Sequence, residues 1–100
     1  MMPTIVIAFL EIIDRDEYEK YMQAAGPIFI REGVKLIVND EQPKPMSEGM
    51  EMDKVVVLEF RDDDHMKAFF SLPDYIEAGV HRDKGARMRL VRTKRFEMPV

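Results

Sequence analysis

One hundred residues, 46% hydrophobic and 34% charged, suit one folded domain, residues 1–100, because the chain is too apolar for disorder and too evenly charged for a bilayer. The net charge of −4 speaks against nucleic acid as a partner, and the lack of cysteine excludes disulfides, thiolate nucleophiles and thiolate metal sites. No apolar run approaches the ~20 residues of a membrane span, and Met1-Met2-Pro3-Thr4 is no basic leader, so no membrane partner and a cytoplasmic location are expected.

Residues 4–13 are rich in β-branched and aliphatic side chains and read as a first strand that meets a turn at Asp14-Arg15-Asp16. Asp14 and Glu17 have the spacing of a capping box, which starts a helix. Tyr18, Tyr21, Met22, Ala25 and Phe29 then recur on one helical face, while Glu17, Glu19, Lys20 and Gln23 face water. Gly26-Pro27 is expected to kink this helix and Gly33 to end it in a left-handed conformation, ahead of a short strand over 34–38. Residues 39–53 fit no period of 2 or 3.6 and form a long loop carrying Met46, Met50 and Met52.

A third strand spans 54–61, and Asp62, Asp63 and Asp64 favour the start of a second helix with Met66, Phe69 and Phe70 buried. Consecutive carboxylates on a helix diverge by about 100° each, so they do not converge on an ion, and no metal site is expected. Ser71-Leu72-Pro73-Asp74 repeats a capping signature with Ser71 as the cap, so the helix breaks and restarts before Tyr75. Gly85 closes it, and 88–96 is a final strand. Seven basic side chains from Arg82 to Arg95 against the single acid Asp83 read as the charge that protects an edge strand.

This order predicts an α+β, ferredoxin-like β-α-β-β-α-β fold: a four-stranded antiparallel sheet with its helices on one face and strands one and three at the centre. An antiparallel sheet covered on one side only should alternate apolar with polar. These central strands do not. Ile5, Ile7 and Phe9 oppose Val6, Ala8 and Leu10, and Val55 and Val57 oppose Val56, Leu58 and Phe60. The helices cover one face, and the other calls for a second copy of the chain, a homodimer.

The sequence resembles domain-of-unknown-function family 1330 of the dimeric α+β barrel superfamily. The resemblance rests on Asp14 with Tyr18, on Gly33, on Glu48-Gly49, and on the strand Val55-Val56-Val57-Leu58-Glu59-Phe60. It rests most on Ala68-Phe69-Phe70-Ser71-Leu72-Pro73-Asp74-Tyr75 followed by Arg82. It covers nearly the whole chain and implies the fold and a face-to-face dimer, with no activity attached. Arg15 stands where the family commonly has proline, and the Met-rich loop is this chain's own.

Three groups of residues offer chemistry. With the first and third strands lying parallel side by side, Glu11 and Glu59 come within one strand spacing, ~5 Å, either as a carboxylate pair sharing a proton for acid–base work or as partners of Lys35 and Arg87 or Arg89. Tyr75, Gly79 and Arg82, at i, i+4 and i+7, share a helix face where glycine leaves a notch between a hydroxyl and a guanidinium, a seat for a carboxylate. Arg82 has the aspartates at 62–64 as competing partners, with Tyr75 packed in the core. His65, in a charged first turn, is either a candidate general base or a simply solvated side chain, and neither it nor His81 has a second ligand or nucleophile at a recognised spacing. Two functions follow. One is a cofactor-free enzyme or binding protein for a small, partly apolar acidic molecule, with Glu59, Glu11 and His65 as catalytic and Tyr75 and Arg82 as ligand-binding residues. The other is a ligand-free structural or interaction module. A cavity lined by Glu59, Tyr75 or Arg82 favours the first, and a barrel packed with valine, isoleucine and phenylalanine the second.

Overall fold

Alternating burial organises the chain from its first strand. The computed structural model describes residues 2–99, and among them the elements run β1 (Thr4–Ile12), α1 (Arg15–Arg31), β2 (Lys35–Asp40), β3 (Lys54–Phe60), α2 (Asp63–Phe70), α3 (Pro73–Gly85) and β4 (Ala86–Lys94). In β1 the side chains of Val6, Ala8 and Leu10 are buried beneath the helices, whereas Ile5, Ile7 and Phe9 are half-buried on the opposite face. The strands are ordered β2-β3-β1-β4, and all neighbours are antiparallel. This is the expected ferredoxin-like topology, with its second helix divided into α2 and α3.

The register fixes what each face displays. On the outer face Val38 lies opposite Val57, Val57 opposite Ile7, and Ile7 opposite Val91, an apolar row across all four strands. A bulge at Ile37 inserts one extra residue between Leu36, paired with Leu58, and Val38, paired with Val57. On the inner face the aromatic side chains make the core: Phe29 stacks on Phe69 at 5.2 Å between ring centroids, and Phe69 meets Tyr75 at 4.5 Å.

The antiparallel pairing corrects one expectation. Ile5 faces Glu59 and Leu10 faces Lys54, so Glu11 and Glu59 sit toward opposite ends of the sheet, about 20 Å apart at ~3.3 Å of rise per residue. They form no pair.

α1 runs without interruption through Pro27, whose ring leaves the Gln23 carbonyl without its intrahelical donor. One local detail differs from the sequence reading. Ser71 does not cap α3: its hydroxyl donates to the Lys67 carbonyl, and Leu72 holds the cap position ahead of Pro73. Gly33 ends α1 with φ of +68°, as expected. Gly85 is needed for space instead, because a Cβ there would lie 2.6 Å from the Tyr18 nitrogen and 2.9 Å from the Asp14 carbonyl oxygen. Its own carbonyl accepts from the backbone N–H groups of Ile13 and Asp14 at 2.8 and 3.0 Å, joining the end of α3 to the start of α1.

Candidate functional site

Helices and strands together line a cavity of about 170 Å³ between the helical layer and the inner sheet face. Helical spacing brings Tyr18, Tyr21 and Met22 of α1 to it on one side, and Tyr75 and Arg82 of α3 on another. β3 contributes Lys54, in phase with the inward Val56 and Leu58.

Tyr75 and Arg82 meet as their spacing implies. A guanidinium has donors only, so Arg82 Nη1 donates to Tyr75 Oη at 2.8 Å, and the Tyr75 and Tyr21 hydroxyls share a hydrogen bond of 2.8 Å. Gly79 makes this possible, since a Cβ there would sit 3.1 Å from Arg82 Nη2. Arg82 also lies 5.4 Å from the Tyr21 ring centroid, over its electron-rich face. Burial opposes its charge, but Tyr75, Tyr21 and Asp83 outweigh that and hold it above the ordinary arginine value. Burial, then the neighbouring Tyr75, raises the Tyr21 phenol well beyond its usual range, and burial pushes Tyr18 up to about 12. Tyr18 and Tyr21 are therefore neutral hydrogen-bonding groups at physiological pH. The carboxylate within reach of Arg82 is Asp83, at 3.3 Å and 73% exposed in its side chain. Such a pair is well screened by water, and the aspartates at 62–64 are not its partners.

Lys54 is the residue that sequence reading missed. It is only 2% exposed, yet its Nζ has a thioether for its hydrogen-bond partner, Met22 Sδ at 3.2 Å, and the Tyr18 ring 4.8 Å away. Among the described residues no carboxylate lies within ion-pair distance of it; Glu41 is already bound to Arg15 at 2.7 Å. Burial pulls the ammonium below the ordinary lysine value, Glu41 resists and Arg15 adds to the fall. The signal was present in the parity of β3, where 54, 56, 58 and 60 share the inner face.

The other candidates lie elsewhere. Glu59 is on the outer face, its side chain 10% exposed and bracketed by Lys35 at 3.6 Å and Arg95 at 3.2 Å. Glu11 is exposed beside Arg87 at 3.7 Å. Neither lines the cavity, and each has the ion-pair role weighed for it. His65 is buried, which corrects the solvated reading. Its Nδ1 accepts from the Arg61 backbone N–H at 3.0 Å, so Nε2 bears the hydrogen and donates to the Glu32 carbonyl at 2.7 Å. Both ring nitrogens are thus committed, Nδ1 to the turn between β3 and α2 and Nε2 to the end of α1. His81 pairs with Glu17 at 2.8 Å and helps hold Glu17 below the usual carboxylate range. Asp62 caps α2, and Asp63 is held well below its usual value by Lys94, Thr4 and Arg92.

The fold is similar to that of a protein of unknown function from Rhodopseudomonas palustris, 21% identical, with TM-score 0.83 over 97% of this chain and 85% of that one. It is similar also to a dimeric ferredoxin-like protein of unknown function from Thermobifida fusca, 19% identical, with TM-score 0.64 over 93% and 91% of the two chains. A further similar structure is SnoaB, a cofactor-independent oxygenase from Streptomyces nogalater, 8% identical, with TM-score 0.69 over 98% and 97%. No curated protein matches the sequence, and no helix among the described residues is long and apolar enough to cross a membrane. The family model described as "Domain of unknown function (DUF1330)" matches residues 3–95, and the chain belongs to that family.

Proposed function

We propose that this chain binds a small, partly apolar organic acid in the cavity of each subunit, without a cofactor, and that two copies pair through the outer faces of their sheets. One observation carries the ligand class: Lys54 and Arg82 both line an aromatic cavity whose lining contains no carboxylate, and Lys54 has no ion-pair partner among the described residues. Buried charge is ordinarily paired, and an entering carboxylate would supply the missing anion while its apolar body packs against the tyrosine and phenylalanine rings. The pairing is supported by the row Val38, Val57, Ile7 and Val91 on the outer face, flanked by ionic groups such as Lys35 and Glu59. Similar folds from Thermobifida fusca and Jannaschia are described as dimeric.

Isothermal titration with phenylacetate and with its neutral counterpart 2-phenylethanol tests the acid preference. The acid should bind at least tenfold more tightly, and Arg82→Met should remove most of that difference. Equal affinities for acid and alcohol, or no binding of either at millimolar concentration, would leave the chain as an interaction module alone.

A further inference from the structure

Building on the acid-binding role, we propose that Lys54 is a nucleophilic amine that condenses with the carbonyl group of a small oxo acid whose carboxylate pairs with Arg82. The two cations are held over adjacent rings: Lys54 Nζ lies 4.8 Å from the Tyr18 centroid, Arg82 lies 5.4 Å from that of Tyr21, and the two rings are 5.7 Å apart. A ligand with an anionic end and a polarised carbonyl therefore has a partner for each.

Lys54 is suited to covalent work rather than to simple charge pairing. Its three N–H donors have a thioether as acceptor, among the weakest in a protein. That contact is easily given up to an incoming carbonyl. A structural lysine at 2% exposure would be expected to reach a carboxylate or several carbonyl oxygens. The groups facing it are Tyr18, Met22, Glu41, Arg15 and Glu19, and burial outweighs the two acids in setting its proton affinity below the ordinary lysine value. Desolvation of this kind raises the share of free amine above that of an ordinary lysine.

The step balances without an added oxidant or reductant. The ammonium yields a proton, the Nζ lone pair forms a bond to the carbonyl carbon, and the carbonyl π pair moves to oxygen, which takes up that proton. The resulting carbinolamine loses one water to give a protonated imine. Ammonium and ketone thus become iminium and water with charge conserved.

Trapping tests the inference on the full chain at pH 7, where ordinary surface lysines remain protonated. Phenylpyruvate is added with sodium cyanoborohydride, which reduces an imine to a stable secondary amine. The expected product carries the mass of one ligand less one oxygen, mapped by peptide mass spectrometry to Lys54. It should be lost in Lys54→Met and in Lys54→Arg, each checked for a native circular-dichroism spectrum. Parallel titration with phenyllactate, which has a hydroxyl in place of the keto group, reads the acid-binding role separately. If both acids bind but no adduct forms at Lys54, or label spreads evenly over surface lysines, the amine chemistry is overturned and the acid-binding role stands. If neither acid binds, both are overturned.

Discussion

Replacing Lys54 by methionine should make the protein more stable, although it removes a residue assigned to the site. The side chain is 2% exposed and gives up the water around its ammonium for one thioether contact at 3.2 Å. Methionine keeps a similar length and apolar stem without that loss of hydration. Exchanging buried charge for apolar groups of like volume gains roughly 1–3 kcal/mol in comparable settings, or a rise in Tm of about 5–15 °C for a domain of this size. The gain should also depend on pH. Burial lowers the proton affinity of Lys54 in the native state, so between the native and unfolded values the unfolded chain holds more protons. The contribution of Lys54 to wild-type stability therefore rises as pH climbs through that alkaline window, and the advantage of Lys54→Met shrinks there. Urea denaturation of both proteins at one concentration, from pH 7 to 11, measures the difference. A variant less stable than wild type at pH 7, or a gap that does not change with pH, would refute the account of Lys54 as an uncompensated buried cation.

Two further substitutions probe the frame around the site. Gly85→Ala places a Cβ 2.6 Å from the Tyr18 nitrogen, which forces α1 and α3 apart at their joint and weakens two backbone hydrogen bonds; thermal unfolding should show a loss of about 3 kcal/mol. Val57→Lys sets a charge in the centre of the outer apolar row, so light scattering should show a dimer for wild type and a monomer for the variant at micromolar concentration, with association weakened by at least about 100-fold, or ~2.7 kcal/mol. A wild-type protein that scatters as a monomer would refute the proposed pairing.

What the sequence reveals depends on which physical rule each residue obeys. The outer face was legible because Ile5, Ile7 and Phe9 alternate with equally apolar neighbours, a pattern that only burial on both sides explains. Tyr75 and Arg82 were legible because helical spacing alone puts i and i+7 on one face, and the 2.8 Å hydrogen bond follows. Glu11 and Glu59 were misjudged because strand direction comes from the connections rather than from composition: α1 returns the chain so that β2 runs with β1, and β3, lying between them, must oppose both. His65 looked solvated since first turns of helices usually are, but its ring folds back to serve two backbone groups that would otherwise lack partners. Lys54 escaped notice because the valines that follow it are apolar on both faces, which hides the parity that sends it inward.

The extra residue in β2 has an electrostatic effect on the opposite strand. Were Ile37 to take a regular place across from Val57, every later residue of β2 would advance by one position, and Asp40 would move from its station opposite Val55 to one opposite Lys54. That shift would hand the interior ammonium an aspartate of its own. By absorbing a single residue at the sheet edge, the strand keeps Asp40 turned to the far side and leaves the lysine's positive charge for whatever molecule enters.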